Sequence, residues 1–202
     1  MNRRAMIKHL AILSALVLAG CAQPVAEPAF KGTDIRGSTI GGTFALTGED
    51  GKRYTDQSFA GRYRMVYFGF AYCPDACPAD VAVMMRGFAK FEREQPAAAA
   101  KVQPLFVTTD PERDDAKTVG EFTAAFHPRL LGLTGTRAEV DTAIKAFKVL
   151  AVREPAPKGS SGYLINHSRF AYLLDPDGKP LIILPVDQGA DAVAADLAAM
   201  VK

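Results

Sequence analysis

The stretch that most constrains this chain is Val66-Tyr67-Phe68-Gly69-Phe70-Ala71-Tyr72-Cys73-Pro74-Asp75-Ala76-Cys77-Pro78. Tyr63 to Phe70 is apolar and aromatic almost throughout, the pattern of a strand at the centre of a sheet. Val81, Met84, Met85, Phe88 and Phe91 then recur at helical spacing, which predicts a helix over Ala79–Glu94. Pro78 fits the first turn of that helix, where its missing N–H has no internal partner to lose. Between strand and helix lie two thiols with three residues between them. Thiols so placed either exchange electrons or hold a soft metal, and the spacing alone leaves both open.

The rest of the chain supplies the layers around this junction. Gly41–Leu46 and Lys52–Tyr54, joined by Gly48-Glu49-Asp50-Gly51, read as a hairpin. Val102–Thr109 is a second buried strand, followed by a helix from about Asp115 with Val119, Phe122 and Phe126 on one face. Leu130–Leu133 is a short strand, Val140, Ile144 and Phe147 mark a helix, and Val149–Arg153 an edge strand. Glu154–Gly162 is a loop by its prolines, glycines and serines. Leu164–Asp175 and Leu181–Leu184 form a hairpin around Asp175-Pro176-Asp177-Gly178-Lys179, and Ala190–Val201 closes the chain as a helix. Alternating strands and helices predict an α/β fold: a mixed central sheet flanked by helices, with N-terminal and C-terminal hairpins.

Residues 1–20 have the form of an export signal. Arg3, Arg4 and Lys8 precede an apolar run from Leu10 to Leu18, and Leu18-Ala19-Gly20-Cys21 places small residues before a cysteine. This end resembles a bacterial lipoprotein signal, which implies lipid attachment at Cys21; the plainer reading is an ordinary secretory signal. Residues 21–33, with prolines and small residues, suit a flexible tether, and 34–202 form the domain. The signal takes three of the 24 basic residues and no acid, leaving 21 bases against 22 acids. A chain so nearly neutral offers no electrostatic case for nucleic acid. With Cys21 assigned to lipid, Cys73 and Cys77 are the remaining two of three cysteines. A disulfide across so short a loop saves little chain entropy, so the pair is there for its chemistry.

Histidine narrows that chemistry. Of three histidines, His9 leaves with the signal. His127 lies before Pro128 at a helix end, a structural position. His167, in Asn166-His167-Ser168, is the natural imidazole donor beside a cysteine pair lacking a third ligand. Two thiolates and an imidazole suit copper, because sulfur is soft enough for Cu(I) and imidazole tolerates Cu(II). Structural zinc asks for a fourth protein ligand and an iron–sulfur cluster for four thiolates. The methionines Met84 and Met85 invite a thioether reading, but on an apolar helix stripe they are core filler.

The run Tyr67–Pro78 resembles the signature of the Sco/SenC copper proteins. Thr109-Asp110-Pro111-Glu112-Arg113-Asp114 resembles a second block of that family, Gly132-Leu133-Thr134-Gly135 a third, and Asn166-His167-Ser168 with Tyr172–Gly178 a fourth. The resemblance implies a thioredoxin-like fold and one copper held by Cys73, Cys77 and His167. It also implies a role in assembling the binuclear copper centre of a cytochrome oxidase. Many relatives carry an acid before the histidine where this chain has Asn166, which bears on the tuning of the site. Asp75 and Asp110 are candidates to orient ligands or to meet a partner, with solvation and turn formation as equal accounts.

The leading expectation is therefore a membrane-tethered, periplasm-facing, monomeric copper chaperone rather than an enzyme. Its partners would be an oxidase subunit that receives copper, and a periplasmic copper donor or thiol reductant. The alternative is a thiol–disulfide reductase cycling a Cys73–Cys77 disulfide. A third reading is a sensor whose loop near Gly159–Gly162 reorders on ligation.

Overall fold

Residue types alone explain why β4 (Tyr63–Gly69) lies at the centre: Met65 and Tyr67 point into one apolar cluster, Val66 and Phe68 into another on the opposite face. A strand apolar at successive positions is stable only when both its faces are covered. The computed structural model describes residues 30–155 and 162–202. The signal, Cys21 and the tether up to residue 29 lie outside the described residues, as does most of the Glu154–Gly162 loop.

Eight strands form one sheet in the order β1-β10-β9-β4-β5-β6-β2-β3. β4 runs parallel to β5 (Val102–Thr108), which runs parallel to β6 (Leu131–Thr134). On the other side, β9 (Ala171–Leu174) pairs antiparallel with β4, and β10 (Pro180–Leu184) with β9. The N-terminal arm reaches both edges. β1 (Thr33–Asp34) pairs with β10, while β2 (Ala45–Gly48) joins β6 and forms the expected hairpin with β3 (Arg53–Thr55). One face is covered by α1 (Ala76–Glu94), α2 (Ala116–Ala124) and α4 (Ala190–Met200), the other by α3 (Arg137–Ala146). This is the mixed, helix-flanked, thioredoxin-like arrangement expected. Each fully buried Phe or Leu of these clusters is worth about 1.5–3 kcal/mol.

The helix starts follow local chemistry. Asp115 caps α2 by accepting from the Thr118 N–H at 2.8 Å. Thr136 and Glu139 form a reciprocal capping box on α3. Met84 and Met85 are buried in the core, as their stripe predicts.

The edge strand lies two residues later than expected, at Ala151–Pro155, and three larger departures follow. β2 begins at Ala45 rather than Gly41, because Gly41 and Gly42 adopt φ of +95° and +143° and turn the chain, with the Gly41 N–H on the Ala146 carbonyl. Helix α1 begins at Ala76, three residues early, so that Cys77 enters its first turn. Pro78 is then the third helical residue and still within the four whose N–H groups lack helical partners. Lastly, Leu164–Asp175 is not one strand. It divides into β8 (Tyr163–His167) and β9, and β8 pairs with β7 (Ala151–Pro155) in a separate two-stranded sheet. The break is made at Ser168, whose N–H bonds the Leu150 carbonyl and whose Oγ accepts from the Leu150 N–H, both at 2.9 Å. Arg169 then turns away to an acid on α1.

Candidate metal centre

The strand–loop–helix junction sets the cysteines at the start of α1, where unpaired N–H groups and the helix dipole favour an anion. The Cys77 N–H donates to the Cys73 sulfur at 3.3 Å, so this sulfur caps the helix while the side chain of Asp75 caps nothing and lies exposed. Cys73 is half-buried and Cys77 fully buried, and both are free thiols. Gly69 makes room for them: a Cβ there would lie 3.1 Å from Cys77 Sγ and 3.0 Å from the Tyr67 ring.

His167 closes on this pair from the end of β8. Its Nε2 lies 3.0 Å from Cys77 Sγ, across 90 residues of sequence. Its Nδ1 lies 3.0 Å from the Ser168 carbonyl, which can only accept, so Nδ1 carries a proton while Nε2 faces the sulfur. The rings of Tyr67 and Phe70 meet the imidazole edge-on at 6.2 and 5.9 Å and fix its plane. The structure thus brings together the three residues that the sequence singles out. His127 is elsewhere: its Nδ1 accepts from the Arg129 N–H and its Nε2 lies 3.4 Å from Glu92, near the far end of α1.

The two thiols are unlike. A hydrogen bond from the Cys77 thiol, with further ones from His167 and the helix-start N–H groups, draws Cys73 down to about 4, so its thiolate prevails at neutral pH. Cys77 moves up, because its proton is held against the Cys73 sulfur and burial penalises a second thiolate.

Two further layers escaped the sequence. Asp80, one turn beyond Cys77 on the same helix face, accepts from Tyr67 Oη at 3.0 Å and takes a two-pronged hydrogen bond from Arg169. An acid between the apolar Cys77 and Val81 was the available signal. Asp114, fully buried, accepts from the Ala71 N–H at 2.8 Å and from Thr108 Oγ1 at 2.7 Å, holding the entry to the thiol loop. Burial pushes its carboxyl up. Asp110 is buried as well: Arg113 bonds one oxygen and Tyr163 Oη the other, at 2.8 Å. It therefore braces the start of β8 rather than a ligand. The Asn166 amide bonds Glu154 across the β7–β8 pair at 3.1 Å, on the exposed side of that strand.

Among the described residues, no three His, Cys, Asp or Glu side chains stand in a finished ligand geometry. The donors nonetheless suit a soft ion: two sulfurs, one already a thiolate, and an imidazole whose other nitrogen is engaged by a carbonyl.

The family model described as SCO1/SenC matches residues 32–202. The human protein SCO1 homolog, mitochondrial, is 36% identical over 160 residues, covering 79% of this chain and 52% of the human protein. The chain thus spans about half the length of the curated relatives it matches. The structure of Bradyrhizobium japonicum ScoI with copper bound superposes with a TM-score of 0.70 at 33% identity, covering 79% of this chain and 98% of that one. Yeast Sco1 with copper bound gives 0.72 at 33%, covering 80% and 88%.

Proposed function

The chain belongs to the SCO1/SenC family, and on that premise we propose that it binds one copper ion through Cys73, Cys77 and His167. It then delivers that ion to, or helps mature, the binuclear copper centre of a cytochrome c oxidase. The observation that carries this reading is the 3.0 Å approach of His167 Nε2 to Cys77 Sγ. The copper-bound state of ScoI and of yeast Sco1, similar in fold and at 33% identity, supports the choice of metal. Thiolate ligands suit transfer, because an incoming thiol displaces them one at a time. The protein acts as an exported monomer held to a membrane by lipid at Cys21. Several acyl chains at one residue anchor a domain without a spanning helix, and among the described residues no helix is long and apolar enough to cross a membrane.

Anaerobic Cu(I) titration of a fragment beginning at Ala22 tests this. One equivalent held tightly by the wild type, and lost in a Cys73→Ser, His167→Ala double variant, is the expected result. Undiminished affinity in that variant overturns the site.

A second reading is favoured by the inequality of the thiols. As a reductase, the Cys73 thiolate attacks a target disulfide and releases one target thiolate. Cys77, losing its proton, then attacks the Cys73 sulfur and releases the other. The target gains two electrons and a Cys73–Cys77 disulfide remains. Reduced fragment that loads copper yet leaves an oxidised target peptide untouched rules this reading out.

A further inference from the structure

His167 does not sit on the main sheet. It is the last residue of β8, in the two-stranded β7–β8 pair, and four residues later the chain rejoins the central sheet at Ala171. The β7–β8 ladder leaves the imidazole's distance from α1 unset. Its backbone bonds run between β7 and β8 and, at the corner, between Leu150 and Ser168. From this corner Arg169 reaches across to α1, where Nε lies 2.8 Å from Asp80 Oδ2 and Nη2 2.6 Å from Oδ1. That is the fork-to-carboxylate geometry in which both partners fix each other's direction as well as distance.

Asp80 is oriented in turn. Tyr67 Oη donates to its Oδ2, and the same Tyr67 ring meets the edge of His167. Asp80 stands three residues after Cys77, one turn along the same helix face. A short closed circuit results, from Cys77 to Asp80 along the helix, to Arg169 across the salt bridge, to His167 along the chain, and back to Cys77 through the 3.0 Å contact.

We propose that Asp80 and Arg169 are positioning residues for the metal site: their two-pronged salt bridge clamps the β8–β9 corner to the first turns of α1 and sets the approach of His167 Nε2 to Cys77 Sγ. The inference rests on the copper-binding reading above for its consequence in affinity, and on the geometry alone for its consequence in the metal-free protein. The Arg169 half of the clamp lies outside the core, while Asp80 is buried. The Arg169 side chain is 57% exposed and lines an open cleft of about 390 Å³ with Lys31, Phe170 and Val186, so shortening it empties no core. Loss of the clamp therefore frees the corner without dismantling the sheet.

The test uses Arg169→Gln, Asp80→Asn and Arg169→Lys, each read in two ways on the full domain with its tether. In the metal-free protein, alkylation of Cys77 by iodoacetamide is followed beside the thermal midpoint. Arg169→Gln and Asp80→Asn should speed it at least tenfold with little change in midpoint, while Arg169→Lys, which keeps the charge but not the fork, falls between. With Cu(I) in competition with a chromophoric chelator, Arg169→Gln should weaken binding by about tenfold, the low end of what removing an outer partner of a metal ligand costs. In a His167→Ala background the same substitution should cost nothing more, because it acts through His167. Unchanged Cys77 alkylation in both charge-removing variants, or an equal loss of affinity with His167 already gone, overturns the clamp. If wild-type protein holds no Cu(I), the proposed function fails while the alkylation result still judges the clamp by itself.

Discussion

At the scale of single residues, the site depends on two cysteines that share a loop and differ in state. Cys73 is half-buried with its thiol drawn down to about 4, while Cys77 is buried and keeps its proton. A group whose value is lowered is charged at every pH above that value. The Cys73 thiolate is thus nearly complete by pH 6, whereas an ordinary thiol, near 8.5, gains thiolate tenfold per pH unit below that. Iodoacetamide should accordingly label Cys73 first, at a rate almost flat between pH 6 and 8. Mass spectrometry of partially labelled metal-free protein measures this, and a tenfold rise per pH unit would refute it. Three ligand candidates were legible at this scale because thiols and imidazoles are scarce in the chain. Asp80 and Arg169 were not, since charged residues are common and only a distance tells a clamp from a solvated side chain.

Elements are held by approach as much as by pattern. Helix α1 packs on α4 where Gly87 faces Val193: a Cβ on Gly87 would lie 2.6 Å from the Val193 Cβ and 2.8 Å from the Ala190 carbonyl. Gly87→Ala gains helix propensity of about 1 kcal/mol, but forcing extra volume into a tight contact costs about 1–3 kcal/mol. The net effect should be destabilising, seen as a lower urea midpoint. A midpoint at or above wild type would mean that the two helices part at no cost. Helical and strand periodicities made most elements visible beforehand. The division of Leu164–Asp175 into β8 and β9 was not visible, because hydrophobic pattern is continuous across it and the break is made by Ser168 bonding Leu150 across the chain.

For the molecule as a whole, the notable tie is between the chain's entrance and its last helix. Asp196, almost fully buried on α4, accepts from the Lys31 and Gly32 N–H groups at 2.8 and 2.7 Å. Phe30 packs against the same core, and β1 follows at the sheet edge. The start of the described chain is thereby tied to α4 by this carboxylate. Asp196→Ala strips two part-buried N–H donors of their acceptor, a cost of about 1–3 kcal/mol. It should release the arm to limited proteolysis near Lys31 while the thiol site stays intact. Wild-type resistance at Lys31 would show that β1 pairing alone secures the arm.

Taken by itself, the sequence determined the alternation of strands and helices, the burial of β4 on both faces, and the identity of the candidate donors. Each of these is local in origin: side-chain periodicity along one segment, or the rarity of a chemical group in the whole chain. Only the tertiary structure decided that His167 meets Cys77 from a hairpin outside the main sheet, that Cys73 caps its own helix, and that Asp80 ties the two halves together. These relations join residues up to 90 positions apart. No periodicity carries such information, because a contact between distant segments is fixed by how the layers pack and not by the spacing within any one of them. The strand–thiol–helix stretch thus defined what the site is made of, and the fold defined which thiol is the thiolate, which is the acid, and what holds the imidazole to them.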